Sequence, residues 1–313
     1  MPSVSKGLSA EPLSVAEASA LLTQAQQQGQ RVSIEREGGD IVLSTRYLNR
    51  LLEHEAGDLT ATVEAGIRLS ALNARLAEHG QLLALDPPGD PTVGAMIAGD
   101  LFGPRAHRYG RARDLLLGVT LVLADGTVAN SGGKVVKNVA GYDLGKLVCG
   151  SHGRLALVVR ASFRLHPSPA SARTLFIPVE TAAEATGRTR LLLHSPLAPS
   201  AVDLLWGGSD PGLAVLFEGG EAAVEDQIAR ALALVGGRED ESVWAEDAAR
   251  QLAAGGRGTF ALRELEGALA EVPEALVRVG PTCFVYLAQT FAEPWSPLAE
   301  RVREQFDPGG VLA

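Results

Sequence analysis

Cysteine is scarce: Cys149 and Cys283 are the only two in 313 residues, short of the about four thiolates that an iron–sulfur cluster takes, and they form no CxxC pair. Both read as reduced, packed thiols. Aromatic residues make up 5% and are not interleaved with basic ones, so nothing here suggests a stacking platform for single-stranded nucleic acid. Positive charge is in deficit, with 28 Lys and Arg against 37 Asp and Glu, and a net charge of -9 without a basic patch repels a polyphosphate backbone. Nucleic acid is therefore not an expected partner. No apolar run approaches the about 20 residues that span a bilayer, so no transmembrane segment is expected. Met1 to Leu13 has no apolar centre of the kind a secretory signal carries, which points to the cytoplasm.

Several well-known catalytic patterns are also missing. No GxGxxG follows a strand, so the Rossmann dinucleotide fingerprint is absent. Lys134 follows Gly132-Gly133, but Val135 stands where a P-loop needs Ser or Thr for magnesium. The six His residues form no HExxH or HxH pair, and no GxSxG elbow exists. Metal hydrolysis and serine nucleophile chemistry are thereby set aside.

What remains is an ordinary globular composition, 46% hydrophobic and 21% charged, in a chain long enough for two domains. Ser14 and Glu17 form a capping box ahead of a helix whose apolar positions run from Val15 to Ala25. Arg31 to Arg36 and Ile41 to Thr45 predict a strand, turn, strand unit broken at Gly38-Gly39. A strand over Leu59–Glu64, a helix marked by Leu69, Leu72 and Leu76, and a strand over Leu82–Leu85 follow. Asp86 to Gly110 is irregular, with five Gly and four Pro, and a long loop of this kind inside a compact domain is usually functional. Leu115–Leu123 reads as a strand turned by Asp125-Gly126, and Leu155–Leu165 as another, with a loop and short helix between them.

Pro167 to Ala170 is the expected boundary, because Pro-Ser-Pro cannot continue a ladder. Beyond it, strands at Leu175–Val179, Val202–Trp206, Leu213–Phe217 and Cys283–Ala288 alternate with helices such as Glu221–Val235, and Trp295–Phe306 reads as a final helix. The fold class is α+β, with domains at 1–168 and 169–313.

The chemistry concentrates in Pro87–Gly110, PPGDPTVGAMIAGDLFGPRAHRYG. Its small residues let backbone amides approach a large polar ligand, and amides at a helix start can hold a pyrophosphate. A Gly-rich loop of purely structural purpose would look the same in isolation.

Three stretches together carry a resemblance. Thr92–Gly110 is similar to the flavin-contacting loop of the FAD-linked oxidases, TxGGxxAxxxxG followed by YG. Gly132–Gly153, GGKVVKNVAGYDLGKLVCGSHG, resembles the small flavin subunit of bacterial glycolate oxidase, with its KNVAGYDL and GS-x-G turns. Phe306–Leu312, FDPGGVL, resembles the same family's terminal FDP-x-G. The resemblance implies a PCMH-type FAD-binding domain of two small α+β subdomains, plus a smaller α+β cap domain that shapes a substrate site and ends in a helix returning to the first domain.

Carried over residue by residue, it puts Gly38, Gly39, Pro88, Thr92, Val93, Gly94, Ala95, Ala98, Gly99, Asp100, Leu101, Gly103 and Gly110 along FAD, with Gly153, Leu155 and Val158 near its adenine end. No His stands where family members attach flavin covalently, so noncovalent FAD is implied. So are a small 2-hydroxy acid substrate, a catalytic flavin subunit and an iron–sulfur subunit as partners, and a place in the cytoplasm or, through such a complex, at the inner membrane surface. Arg257 and Arg263 are candidates for a carboxylate clamp.

Two departures from the pattern bear on this. The family's Arg-Gly-Gly-Gly-Ser/Thr turn is shortened to Arg36-Glu37-Gly38-Gly39-Asp40, and a like-charge pair about 4 Å apart costs about 4 kcal/mol at an effective dielectric near 20. Glu37 and Asp40 facing phosphates would weaken FAD binding and leave a mainly structural subunit that scaffolds its partners. At His152-Gly153-Arg154-Leu155-Ala156 the family carries an acidic residue, Thr and a closing Gly. Arg154 reads either as a phosphate partner or as a solvated surface residue.

Overall fold

The structure is a computed structural model that describes residues 8–133, 143–289 and 296–313. The first half opens with β1 (Leu8–Ala10), α1 (Val15–Gln27), β2 (Val32–Ile34) and β3 (Ile41–Leu43). Ser14 caps α1 by accepting from the Glu17 amide, and the Glu17 carboxylate accepts from the Leu13 amide. Ala18, Leu22 and Ala25 are buried at helical spacing.

The strands β1, β3 and β2 pair in that order and in parallel, Val32 opposite Ile41. The sequence unit over 31–45 is therefore not a hairpin. Residues 35–40 must carry the chain back along a whole strand, and Glu35 (φ 54) and Gly38 (φ 126) take up left-handed conformations in doing so. Gly39 packs so closely on β2 that a Cβ would lie 2.7 Å from the Arg31 carbonyl oxygen.

Next come β4 (Leu51–Glu55), β5 (Thr60–Glu64), α2 (Leu69–Ala77), β6 (Gln81–Leu82), α3 (Val93–Gly99), α4 (Ala106–Tyr109), α5 (Ala112–Leu115), β7 (Leu116–Val122), β8 (Val128–Gly132), α6 (Leu144–Val148), β9 (Leu157–Arg164) and β10 (His166–Pro167). Five of these strands form an antiparallel sheet in the order β4-β5-β9-β7-β8. Its core side packs Val63, Ala161 and Phe163 against Leu72, Leu76, Met96 and Ile97 of α2 and α3. A second cluster joins α1 and the three-stranded sheet to Val122, Leu157 and Val159.

The expected strand at Leu82–Leu85 shrinks to β6, which pairs with β10. Its continuation is held by a side chain instead, the Leu83 amide donating to Asn73 Oδ1 at 2.8 Å. Lys137 to Tyr142 of the KNVAGYDL stretch lies outside the described residues, as does Trp295.

The second half comprises β11 (Ser171–Pro178), α7 (Ala182–Leu193), β12 (Ala201–Trp206), β13 (Gly212–Gly219), α8 (Glu221–Val235), β14 (Arg238–Glu239), α9 (Val243–Ala253), β15 (Gly256–Ala261), α10 (Leu265–Ala270), β16 (Ala275–Arg278), β17 (Thr282–Leu287) and α11 (Pro297–Phe306). Seven strands form one antiparallel sheet, β14-β11-β13-β12-β16-β17-β15. One face buries Leu175, Val215 and Val277 with Ala185, Val224 and Leu269 of α7, α8 and α10. The other packs Phe176, Leu276 and Tyr286 with Val243 of α9.

Residues 100–109 bridge the two halves. Arg105 pairs with Glu218 at 2.6 Å, His107 Nδ1 lies 2.8 Å from the Val279 carbonyl, and Arg278 and Gln251 both donate to the Phe102 carbonyl. The tail returns to β2: the Val32 amide donates to Val311 and the Ala313 amide to Val32, while the buried Asp307 carboxylate accepts from the Val311 and Leu312 amides.

Candidate functional site

The cofactor stretch forms a helix sorted by size. Val93, Met96 and Ile97 of α3 are buried in the core, which leaves Gly94, Ala95 and Ala98 on the opposite side. That side floors a cleft of about 290 Å³, walled by Ile34, Glu35, Arg36, Thr45, His152, Gly153, Ala156, Leu157 and Val158. Gly94 already sits with its Cα close to Ala65, so a Cβ there would come within 3.1 Å of the Ala65 Cβ. Small residues along α3 thus serve both the packing and the open space.

The start of α3 offers no free amide. The Val93 amide donates to Ile67, the Gly94 amide to Ala65 and the Ala95 amide to Thr92 Oγ1. This differs from the sequence expectation of pyrophosphate held at a helix start, and the cause is the packing of α3 against residues 65–67. The end of α3 is more open: Asp100 (φ 46) reverses the chain, and the Gly150 and His152 amides donate to the Ile97 and Ala98 carbonyls. Those bonds hang the 150–153 turn on α3. Gly153 (φ 75) sits in that turn against Ile34, where a Cβ would make a 3.3 Å contact on the Cδ1 atom.

Of the residues singled out from sequence, Gly94, Ala95, Ala98, Gly99, Leu101, Gly153 and Val158 line this cleft together. The others lie elsewhere. Thr92 caps α3, and Val93 and Leu155 are buried in the core. Gly38 and Gly39 belong to the β2–β3 connection outside the lining, and Pro88 lines a separate 420 Å³ cavity between residues 86–105 and the second sheet. Gly103 answers a packing need, since a Cβ would fall 2.0 Å from the Asp86 carbonyl oxygen, and Gly110 (φ 82) turns the chain over Asp114. Asp100 lies just behind Gly99 and Leu101. Its carboxylate accepts from Arg111 at 2.6 Å and, at 3.5 Å, from Arg257, whose other nitrogen donates to the Asp100 carbonyl at 3.0 Å. Its second oxygen is buried without a hydrogen-bond partner among the described residues.

Sequence reasoning left Ile34, Glu35, Thr45 and His152 out of the cofactor set, yet all line the cleft, together with Arg36 of the expected first loop and Ala156 and Leu157 of the strand expected near the adenine end. The parallel β2–β3 pair brings Ile34, Glu35 and Thr45 together, and no local motif announces it. Glu35 is fully engaged, accepting from the Thr45 amide at 2.6 Å and from the Thr45 and Ser44 hydroxyls. Neither Glu37 nor Asp40 lines the cleft, and Asp40 accepts from the Arg31 amide at 2.8 Å. Glu37 is exposed.

The charged groups of the cleft lining are Arg36 and Glu35. Arg36 donates to the Ala313 carbonyl, and burial, then the charge of Arg154, holds its pKa below the ordinary arginine value. Burial, then Arg36, Arg154 and Arg257, also lowers the pKa of His152, so its ring is neutral at pH 7. Burial pushes the Cys149 thiol up to about 12 and raises Cys283, so both thiols stay protonated. Among the described residues no group of three or more His, Cys, Asp or Glu is placed to hold a metal, and no helix is long and apolar enough to cross a membrane.

Comparison with known proteins places these features. Residues 10–132 match the FAD binding domain family. The chain is 26% identical over 211 residues, 66% of its length and 36% of the relative's, to a mitochondrial D-lactate dehydrogenase [cytochrome] of Kluyveromyces lactis. It is 33% identical over 169 residues to glycolate oxidase subunit GlcD of Bacillus subtilis, covering 53% of this chain and 36% of that one. With glycolate oxidase subunit GlcE of Escherichia coli it shares 32% over 200 residues, 63% of this chain and 55% of the relative. The matches thus span from about a third to just over half of these relatives.

A solved alkyldihydroxyacetonephosphate synthase superposes with a TM-score of 0.75 at 15% identity, over 97% of this chain and 76% of that one. Residues 10–132 accordingly carry an FAD binding domain, with FAD as the cofactor, in a chain whose fold is that of the PCMH-type FAD-binding proteins.

Proposed function

We propose that the chain binds FAD noncovalently in the α3 cleft and is the FAD-binding subunit of a 2-hydroxy acid oxidase or dehydrogenase, with glycolate or D-lactate as substrate class. Residues 1–168 would hold the cofactor and 169–313 cap it. The observation that carries this reading is the cleft itself: a floor of Gly94, Ala95 and Ala98, small enough to admit an extended planar group, with Arg36 in its wall. FAD supplies the chemistry of accepting the C2 hydrogen of the hydroxy acid as hydride, leaving a 2-oxo acid.

Arg257 is suited to orient such a substrate. It reaches from β15 to the turn behind Gly99, its side chain is 32% exposed, and its 3.5 Å contact to Asp100 is the looser of that carboxylate's two guanidinium bonds. Arg263, 83% exposed and beside Glu264, has no such place. A guanidinium matches a carboxylate with two parallel hydrogen bonds.

With two separate thiols and no cluster motif, electrons would leave to a partner, for which a catalytic flavin subunit and an iron–sulfur subunit are proposed. The alternative, a scaffold that has lost its cofactor, drew its argument from Glu37 and Asp40; Asp40 caps Arg31 and Glu37 faces solvent. The flavin reading is favoured. Anaerobic addition of glycolate and of D-lactate to the FAD-loaded chain tests it: bleaching of the flavin bands by either acid supports a 2-hydroxy acid substrate, and bands unchanged by both refute it.

A further inference from the structure

Two guanidinium groups share one carboxylate at the C-terminal end of α3. Arg111 donates to Asp100 Oδ2 at 2.6 Å, and Arg257 donates to the same oxygen at 3.5 Å and to the Asp100 carbonyl at 3.0 Å. Both lie over one pair of rings, their guanidinium carbons 5.5 and 5.1 Å from the centre of Phe102 and 5.2 and 5.7 Å from that of Phe284. Arg278 also lies over Phe102, but its charge is matched separately by Asp203 and Asp247 at 3.0 and 3.1 Å. Asp100 stands between Gly99 and Leu101, which line the cleft, in the left-handed conformation (φ 46, ψ 48) that ends the helix.

Counted together, Arg111, Asp100 and Arg257 carry one positive charge in excess. The two arginine side chains are 23% and 32% exposed, so the excess lies within reach of a ligand and is only partly screened by water. One ligand carboxylate completes the balance. A second carboxylate on the same ligand would add negative charge near Asp100 with no guanidinium of the group left to match it, and that repulsion is strengthened by partial desolvation.

We propose that Asp100 is a specificity-determining residue: by neutralising one of two guanidinium groups beside the cleft, it makes the site select 2-hydroxy monocarboxylates over 2-hydroxy dicarboxylates. This rests on the reading of Arg257 as the substrate's carboxylate partner and adds the charge rule that narrows the substrate class. Asp100→Asn leaves both guanidinium charges unmatched with little change of shape, since Asn tolerates the left-handed conformation. Arg111→Gln has the opposite effect and makes the group neutral.

The test compares D-lactate with D-malate, and glycolate with tartronate, as kcat/KM at pH 8 on the FAD-loaded chain. Dissociation constants for pyruvate and oxaloacetate, which cannot reduce flavin, are read beside them from the flavin spectrum. A unit charge at this range corresponds to about tenfold in such a ratio. The dicarboxylate-to-monocarboxylate ratio is expected to lie below one in the wild type, to rise in Asp100→Asn and to fall in Arg111→Gln, in rates and in binding alike, with FAD retained by each. A merely structural role lowers both members of a pair together. Ratios that stay unchanged or move the other way therefore overturn the proposal, as does a wild type that prefers the dicarboxylates, and each of these results leaves oxidation of 2-hydroxy acids standing. Should Asp100→Asn fail to fold, Arg111→Gln decides alone. Wild-type flavin that none of the four hydroxy acids reduces and neither oxo acid perturbs overturns the charge rule together with the reading it rests on.

Discussion

Removing the guanidinium of Arg278 should unfasten the second sheet from the cofactor loop. Its side chain is 5% exposed and donates to Asp203 at 3.0 Å, Asp247 at 3.1 Å, Gln251 at 2.8 Å, Tyr286 at 3.2 Å and the Phe102 carbonyl at 2.8 Å. Asp203 and Asp247 are 1% and 2% exposed, and one oxygen of each lacks a hydrogen-bond partner among the described residues. Burial, then the charge of Asp247, holds the Asp203 carboxyl well above the usual carboxylate range. Asp203 is thereby biased toward its neutral form, while Arg278 pairs with both acids.

In Arg278→Met the pair keeps its burial and loses its counter-ion, a change that costs about 3–5 kcal/mol or a drop in Tm of about 10 °C at pH 8. The sign with pH follows from the raised pKa. A carboxyl whose folded pKa exceeds its unfolded value favours the native state below the unfolded pKa, and that contribution is lost as pH rises through the folded pKa. The variant should therefore recover part of its deficit on going from pH 8 to pH 5, as Asp203 becomes able to be buried neutral. Thermal melts of wild type and variant at the two pH values decide the matter. A loss under about 1 kcal/mol, or one larger at pH 5 than at pH 8, refutes this account of the buried Asp203 carboxyl.

Other outcomes follow from single contacts. Gly103→Ala forces a Cβ onto the Asp86 backbone and should destabilise by about 1–3 kcal/mol in a denaturant titration, without any direct contact with the cleft. Asp307→Ala leaves the Val311 and Leu312 amides unpaired, so the tail should gain rapid hydrogen exchange and the chain lose about 2 kcal/mol. If the proposed activity is present, Arg257→Gln should raise KM for the hydroxy acid about tenfold to a hundredfold with FAD affinity retained, while Arg263→Gln should leave both unchanged; steady-state kinetics separate the two.

The elements most legible in sequence were those with explicit ends. α8 runs Glu221–Val235 as read, because Gly220 and Gly236 bound a regular apolar stripe. The small residues of Thr92–Gly103 were legible as a ligand-contacting loop by resemblance, whereas helix α3 was not, because the Gly and Pro of Asp86–Gly110 read as irregular. What escaped depended on distant partners. β15 carries Gly256, Arg257 and Gly258 and so shows no apolar alternation; it is a strand because β17 supplies its ladder. Leu83 and Leu85 are apolar like strand residues, yet Asn73 takes the Leu83 backbone. The Glu37 and Asp40 charges, expected opposite phosphates, are not part of the cleft lining, and Asp40 instead accepts from the Arg31 amide. The Asp203, Asp247, Arg278 network is assembled by three elements of the second half, and no local pattern marks it.

The central claim is that the α3 cleft is the FAD site, and equilibrium dialysis of the chain against FAD, beside an Ala98→Trp variant that fills the floor, addresses it most directly. The account predicts stoichiometric flavin on the wild type and none on a variant that remains folded by circular dichroism. Equal flavin retention by both would place the cofactor elsewhere and contradict the account.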